Sequence, residues 1–411
     1  MKVLITGAQF KNKGAQSLLF SVVDYLNGLK RNIEIFYLPL DNYRDYTVNL
    51  YKFNIVFNGE SSHKYEAGGV SRLKAMIKEP IKMLLRRPHA SILEIKQLHT
   101  ILPNIDLMVD VSGYQLSSKW GMEVNKRFLG YIEEAKKYDI PVILMPQSFG
   151  PFNYASNQNK MDLEIKNTLS KVEIIFAREK EGFDILTQRY SLQNVRLSPD
   201  LVLHQAEYDL NNIYVTKPVL QVPKIQSNNN VGIIPNEQNF IHGDRNKVLE
   251  FYKYTIEKII DMGKNVVIFR HSADLEQCQL IYKMFEDNQQ VSLVENEFSC
   301  FEYSEFIANF DYLISSRYHA IIHAYKKGIP SIILGWAIKY SELADIFNQG
   351  SYVFNSAKLF VNSSTFVTIQ RMNKNYTIER EIILEKLEEI QNDSCLKSID
   401  QYLTSKFNIK I

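Results

Sequence analysis

Short apolar runs alternate with amphipathic helical stretches along the chain. In the first half each run ends at a polar residue or a glycine, and residues 17–26 between two runs have helical spacing. Strands that are buried on both faces of a parallel sheet have this pattern. The strands predicted in the first half lie at residues 3–5, 33–38, 107–109, 142–145, 174–177 and 202–203.

A polar stretch at residues 205–230, with Pro218, Pro223 and an Asn run, is typical of a domain boundary. The pattern then restarts, which predicts an α/β protein of two Rossmann-like lobes facing each other. Strands are predicted at residues 231–234, 266–269, 312–314 and 331–334, and helices at 245–262, 275–285 and 320–326. We assign residues 1–210 to an N-terminal lobe, 225–370 to a C-terminal lobe and 371–411 to a helical segment, with a charged amphipathic helix at 379–390.

Composition narrows the class of protein. The 411 residues, 45% of them hydrophobic, can bury more than one core. A formal net charge of +2 argues against a nucleic-acid partner, so any anion site must be local. Three widely spaced cysteines indicate neither a disulfide framework nor a zinc site. The N-terminal apolar run is too short for a signal peptide, and no stretch approaches the roughly 20 apolar residues of a membrane span, so we expect a cytoplasmic protein.

Ligands bind outside the carboxyl ends of strands in open parallel sheets, so the residues after each predicted strand are candidates for a site. Asn12 and Gly14 follow the first strand and could hold a sugar or an anion, although a plain turn also needs glycine. Asp110 is a candidate general base for a hydroxyl group, or a carboxylate that bonds loop amides. Gln147 could bind hydroxyl groups of a sugar, or be a satisfied loop amide.

The strand ends also carry cationic residues. Arg178 stands beside Glu179, so it could bind an anion or form only a salt bridge. Arg270 and His271 follow a strand of the second lobe, where two adjacent donors favour an anion site.

The most informative segment is Ser316-Arg317-Tyr318-His319, at a strand end and the first turn of a predicted helix. At this position a guanidinium, the N-terminus of a helix dipole and an imidazole can all bind the same anion. Lys339 follows the next strand and adds positive charge at the same carboxyl edge of the sheet.

These segments together resemble the polysaccharide pyruvyl transferase family over nearly the whole chain. The Ser-Arg-x-His match is the most specific, and Ser112-Gly113 departs from the paired glycines that the family often has after the third strand. The matching segments lie at residues 12–15, 110–113, 146–151, 177–179, 198–200, 316–320 and 328–330, followed by Trp336, Lys339 and Tyr340.

The resemblance implies a GT-B-like fold, phosphoenolpyruvate as the donor and a sugar of a cell-surface polysaccharide precursor as the acceptor. Phosphoenolpyruvate is a co-substrate, and we expect no cofactor and no metal, since no DxD-type motif stands at a strand end. The resemblance implies that Arg and His residues of the second lobe hold the donor. We assign the donor site to Arg178, Arg270, His271, Ser316, Arg317 and Lys339, and the acceptor site to Asn12, Gly14 and Gln147. In the mechanism that we expect, Arg317 holds the donor, the imidazolium of His319 protonates the enol methylene, Asp110 takes a hydroxyl proton, and a second hydroxyl closes a pyruvate ketal.

A basic amphipathic pattern at residues 72–87 would suit an acceptor that is lipid-linked. Lysines and an arginine recur on one face there and apolar residues on another, with Pro80 interrupting. Peripheral contact with the inner face of an anionic membrane and a solvated face packed on the first lobe both explain it.

Two other functions remain open. A GT-B glycosyltransferase that uses a nucleotide sugar would need an acidic residue for the ribose, for which Glu305 or Glu342 could serve. A non-catalytic glycan-binding protein would retain the fold without needing Asp110, Arg317, His319 and Lys339 together.

Overall fold

Two parallel sheets with helices around them form the molecule. The computed structural model describes residues 1–40, 50–57, 96–225 and 228–407. The predicted membrane-contact segment at 72–87 therefore lies outside the described residues. Among the described helices, none has both the length and the apolar character needed to cross a membrane.

The N-terminal lobe contains eight parallel strands in the order β4-β3-β2-β1-β5-β6-β7-β8. The central strands β5 and β6 are buried along their whole length, as their apolar sequences require. The strands are β1 (Lys2–Thr6), β2 (Glu34–Leu38), β3 (Asn54–Phe57), β4 (Lys96–Gln97), β5 (Leu107–Asp110), β6 (Val142–Gln147), β7 (Ile174–Ala177) and β8 (Val195–Leu197). The helices are α1 (Lys13–Gly28), α2 (Leu98–Ile101), α3 (Gly121–Lys136), α4 (Gln158–Leu169), α5 (Lys180–Asp184) and α6 (Leu210–Ile213).

The C-terminal lobe contains six parallel strands in the order β11-β10-β9-β12-β13-β14. The strands are β9 (Asn230–Ile234), β10 (Asn265–Phe269), β11 (Val291–Val294), β12 (Tyr312–Ser315), β13 (Ser331–Gly335) and β14 (Val353–Asn355). The helices are α7 (Glu237–His242), α8 (Arg245–Asp261), α9 (Leu275–Tyr282), α10 (Cys300–Ile307), α11 (Tyr318–Lys326), α12 (Ile338–Ile346), α13 (Ser363–Asn392) and α14 (Lys397–Phe407).

Each sheet reverses its strand order beside its first strand. In the first lobe β1 pairs with β2 and β5, and in the second β9 pairs with β10 and β12. The loops diverge at such a switch point and leave a crevice at the carboxyl ends. The loops after β1, β5, β10 and β12 are therefore placed to form a site, and the prediction of two Rossmann-like lobes is confirmed.

The lobes are packed together through α1. The ring of Phe20 stacks on that of Phe301, with centroids 5.2 Å apart. Ser17 Oγ lies 3.0 Å from His323 Nε2, and the backbone N–H of Cys300 donates to Gln16 Oε1 at 2.9 Å. Burial of both apolar and polar groups fixes how the two lobes face each other.

Three features of the chain differ from the pattern-based prediction. Residues 202–203 are not a strand, because Leu201–His204 form a 3₁₀ turn in which the Asp200 side chain caps the N–H of Val202. Five strands were not predicted, namely β3, β4, β8, β11 and β14. The edge strands β8, β11 and β14 are only partly buried and so lack an apolar run. The 30-residue helix α13 continues through residue 371, where a separate segment was expected to begin.

Candidate active site

Arg317 stands at the interlobe end of β12 and is held by a buried carboxylate. Its backbone is extended, with φ −104° and ψ 120°, directly before α11. The guanidinium Nε donates to Asp274 Oδ2 at 2.6 Å, and Nη2 donates to Asp274 Oδ1. Asp274 is almost fully buried, whereas the Arg317 side chain is 26% exposed. The fork is thus fixed along one edge and open to solvent, an arrangement suited to binding an anion.

Arg270 and His271 follow β10, which lies on the other side of β9 from β12. Arg270 Nη2 lies 3.6 Å from Glu297 Oε2, and His271 Nδ1 lies 2.9 Å from Ser272 Oγ. His271 Nε2 is buried and has no hydrogen-bond partner among the described residues. Burial, and then the charge of Arg317, lowers the pKa of His271 well below its usual value, so the imidazole is neutral in the free protein.

His319 lies in the first turn of α11, between the two lobes. Its ring centroid is 6.4 Å from that of His271, and its Nε2 is 3.9 Å from Asp200 Oδ2. A Cβ atom built on Gly14 would lie only 2.2 Å from His319 Cγ, so the start of α1 is in direct contact with this imidazole. Burial, followed by the charges of Arg178 and Lys339, lowers the pKa of His319 well below its usual value. The free protein therefore holds neutral imidazole, whereas the mechanism expected from the sequence uses imidazolium.

Arg178 is buried behind the site rather than exposed to it. It bonds Glu179 Oε1 at 2.9 Å and Asp200 Oδ2 at 2.8 Å, and its guanidinium carbon lies 4.5 Å from the centroid of the Tyr318 ring. The salt bridge between Arg178 and Glu179 that the sequence suggested is present in the structure. With two carboxylates bound, Arg178 fixes the position of Tyr318 and adds to the positive potential at His319.

A cavity of about 260 Å³ lies next to this cluster and is lined by both lobes. Two lysines, Lys119 and Lys339, are among its lining residues. Burial, followed by the charge of Arg178, lowers the pKa of Lys339 to about 8. The Lys339 Nζ atom lies 5.0–5.7 Å from the ring centroids of Tyr318, Trp336, Tyr114 and Tyr340. Aromatic faces beside a cation suit the apolar faces and polar edges of a sugar. The lining residues are Tyr114, Lys119, Ser148, Phe149, Gly150, Pro151, Glu179, Glu181, Gly182, Trp336, Ala337, Ile338 and Lys339.

The candidate residues of the N-terminal lobe brace its strand ends. Asp110 is buried and accepts hydrogen bonds from Thr6 Oγ1 at 2.8 Å, the N–H of Ser112 at 3.0 Å and Gln147 Nε2 at 3.3 Å. Burial raises the pKa of Asp110. Gln147 is itself fully buried. These contacts favour the loop-bonding alternatives for both side chains and place neither on the cavity.

Two further candidates act as supports. Asn12 Oδ1 caps α1 by accepting from the N–H of Gly14 at 2.9 Å. Ser316 is buried, and its Oγ lies 2.7 Å from Tyr252 Oη and accepts from Asn239 Nδ2 at 3.1 Å. Asn12 therefore sets the direction of α1, and Ser316 fixes the backbone that carries Arg317.

Sequence reasoning did not assign a role to four residues that shape the site. Asp200 and Trp336 lie in segments that carry the family resemblance, so a signal was present for them. Asp274 and Tyr114 follow no recognisable pattern, because their roles depend on contacts between distant parts of the chain.

The fold and the site define a two-lobed α/β protein of GT-B-like architecture with a cationic centre between its lobes. A family model described as polysaccharide pyruvyl transferase matches residues 12–337. The chain belongs to the polysaccharide pyruvyl transferase family. No curated protein matches it.

Several solved structures are similar to this chain in fold. The UDP-GlcNAc 2-epimerase of Methanocaldococcus jannaschii has a TM-score of 0.56 at 11% identity, covering 91% of this chain and 93% of its own. The UDP-GlcNAc 2-epimerase of Neisseria meningitidis bound to UDP-GlcNAc has a TM-score of 0.53 at 14% identity, covering 98% and 100%. At such low identity these similarities concern the fold alone.

Proposed function

We propose that the protein transfers the pyruvyl group of phosphoenolpyruvate to two hydroxyl groups of a sugar in a polysaccharide precursor, forming a cyclic ketal. The observation that carries this proposal is the convergence of Arg317, His319, Arg270 and His271 at the tips of β10 and β12, the two strands that flank β9, next to an aromatic-lined cavity. A small donor with a phosphate and a carboxylate needs fixed cations. Membership of the family supports the same reaction class.

His319 is the proposed general acid. Its pKa is lowered in the free protein mainly by burial and also by cationic neighbours, so an anionic donor bound among them raises it and favours the imidazolium. The imidazolium then gives its proton to the methylene carbon, which becomes a methyl group. The carbon–oxygen bond to phosphate breaks, and two sugar oxygens bond to the central carbon. One of the two hydroxyl protons goes to a base of the protein, and the other leaves with the phosphate. Arg317 stabilises the departing phosphate.

The aromatic cavity is the proposed acceptor site. Tyr114 and Trp336 offer ring faces for the sugar, and Lys339, with a pKa of about 8, is its titratable amine nearest the aromatic rings. Asp110 accepts three hydrogen bonds from buried neighbours. We therefore assign Asp110 to positioning the strand ends and Lys339 to receiving the hydroxyl proton.

No observation favours the nucleotide-sugar alternative beyond the fold. Glu342 accepts from the backbone N–H of Lys180 at 2.5 Å, and Glu305 pairs with Lys327 at 2.9 Å. Both carboxylates proposed for a ribose are thus already engaged.

Phosphate release from phosphoenolpyruvate, measured with a panel of synthetic sugars with and without a lipid diphosphate, tests the reaction. We expect release only with an acceptor, and a product whose mass and NMR spectrum are those of a pyruvate ketal. Thermal-shift screening adds a second test: phosphoenolpyruvate should raise the melting temperature. Stabilisation by UDP or GDP alone would instead favour the glycosyltransferase.

His319→Ala tests the assigned acid. We expect turnover to fall by roughly 100- to 10,000-fold, the usual contribution of a general acid, with little change in melting temperature. The matched control is His99→Ala, because the His99 side chain is exposed in the N-terminal lobe. Wild-type turnover by the His319 variant would exclude the assignment.

A further inference from the structure

A carboxylate of the protein itself is bound between cations of the two lobes. Glu297 lies in the segment between β11 and α10. Its Oε1 is 3.3 Å from the Nζ atom of Lys13, the first residue of α1, and its Oε2 is 3.6 Å from Arg270 Nη2. One exposed glutamate therefore connects a lysine of the N-terminal lobe to an arginine of the C-terminal lobe.

The two ends of this contact are unequally buried. The Lys13 side chain is 6% exposed, whereas that of Glu297 is 68% exposed. A lysine that is almost buried needs an anion nearby, because desolvation penalises its charge. An exposed carboxylate at these distances is weakly held, since water can replace its partners. Lys13 is thus a nearly buried cation, and Glu297 is an exposed partner that can leave.

Lys13 belongs to the same cluster as the proposed donor site. The next residue, Gly14, packs against the His319 ring. The charge of Lys13 also contributes to the lowered pKa of His271, after burial and the charges of Arg317, His319 and His323. The carboxylate of Glu297 is therefore bound on one side to Lys13, which belongs to the cluster of the two histidines, and on the other to Arg270.

We propose that Glu297 occupies the place of the donor's carboxylate in the free protein, and that Lys13 is a donor-binding residue supplied by the N-terminal lobe. This rests on the proposed function. On binding, the carboxylate of phosphoenolpyruvate replaces that of Glu297 between Lys13 and Arg270, while the phosphate binds Arg317. No covalent bond changes in this exchange. The exchange orients the donor and makes the N-terminal lobe part of the donor site.

Calorimetric titration of the full-length protein with phosphoenolpyruvate, and separately with inorganic phosphate, tests the exchange. Removing the competing charge in Glu297→Gln should tighten phosphoenolpyruvate binding roughly 2- to 5-fold, the worth of an exposed ion pair. Inorganic phosphate has no carboxylate and should gain less. Glu295→Gln is the matched control, because Glu295 is exposed on the same segment and bonds Gln279 instead.

Lys13→Met should weaken phosphoenolpyruvate binding roughly 10-fold or more, as expected for a lost charged contact. In that background Glu297→Gln should no longer tighten binding, because the two side chains are coupled. The Glu297 substitution is at an exposed side chain and keeps the test valid if the Lys13 variant folds poorly.

Unchanged or weaker phosphoenolpyruvate binding by Glu297→Gln would overturn the exchange, and so would equal gains for phosphoenolpyruvate and phosphate. A wild-type protein that binds phosphoenolpyruvate but shows either result refutes only this inference. A wild-type protein that binds no phosphoenolpyruvate refutes the proposed function as well.

Discussion

Two side chains define the reactive centre, and each depends on one neighbour. Arg317 is aligned by two hydrogen bonds to Asp274, which is buried. His319 keeps its place because residue 14 has no side chain, so α1 can approach the imidazole closely. Asp274 and Gly14 are positioning residues: neither is proposed to touch the substrate, but both set where the reacting groups lie.

Gly14→Ala tests this close contact. The added methyl carbon would start 2.2 Å from His319 Cγ, so the ring must move. Displacement of a catalytic group by about 1 Å can cost on the order of 100-fold in rate, so we expect a loss of that size in kcat/KM for phosphoenolpyruvate.

Gly130→Ala is the control, since a Cβ at that helical position meets nothing within 4 Å. The control should keep full activity and gain up to about 1 kcal/mol in unfolding free energy. Full activity in Gly14→Ala would contradict the packing.

At the level of elements, the site is built by loops at parallel strand ends. The turn after β6 supplies Ser148 to Pro151, and the turn after β13 supplies Trp336 and Lys339 to the same cavity. The tips of β10 and β12 supply the cations of the donor site. Donor and acceptor contacts therefore come from different turns and should be separable by substitution.

Trp336→Ala should weaken the acceptor contacts and leave the donor contacts unchanged. We expect the KM for the sugar acceptor to rise by several-fold to about tenfold, the worth of an aromatic contact, with phosphoenolpyruvate affinity unchanged. Steady-state kinetics with each substrate varied, together with calorimetry for phosphoenolpyruvate, measures both. Phe360→Ala removes an aromatic ring that is 69% exposed and does not line the cavity, so it serves as the control. Weaker phosphoenolpyruvate binding without a change for the acceptor would show that the cavity belongs to the donor.

At the level of the whole molecule, the interface between the lobes contains an unusual lysine. Lys326, at the end of α11, is buried, and its Nζ atom lies 3.7 Å from the centroid of the Tyr208 ring. It has no hydrogen-bond partner among the described residues. Burial lowers the pKa of Lys326 to about 7. The buried charged amine therefore lowers the free energy of unfolding of the packed lobes.

Lys326→Met should raise the unfolding free energy in a pH-dependent way. The unfolded chain has the ordinary lysine pKa near 10.5 and the folded protein about 7, so between these values the unfolded state binds more protons and stability rises with pH. The cost of the lysine is greatest below pH 7 and shrinks toward pH 10.5. Denaturant unfolding should therefore show a larger gain for Lys326→Met at pH 6 than at pH 9.

Lys327→Met is the control for this experiment. Lys327 pairs with Glu207 and Glu305 at 3.0 and 2.9 Å, and its pKa is raised rather than lowered. We expect no gain in stability from this variant at either pH. An equal gain at pH 6 and pH 9 for Lys326→Met would contradict the burial of a titrating amine.

The sequence by itself determined the two-lobed α/β fold and the strand ends that carry Arg270, His271, Arg317 and His319. Apolar runs specify central parallel strands, and the polar residues directly after them must lie at the carboxyl edge of a sheet. The same local signal failed for the partly buried edge strands and for Leu201–His204, where capping by Asp200 favours a turn.

Only the tertiary structure decided which cations remain open to a ligand. Arg178 is bound by Asp200, 22 residues away in the chain, and Arg317 is aligned by Asp274, 43 residues away. Glu297 pairs with Lys13 across 284 residues and two lobes. Ion pairing falls steeply with distance in space and has no period in sequence, so these partners follow from the packing of the lobes and from nothing local.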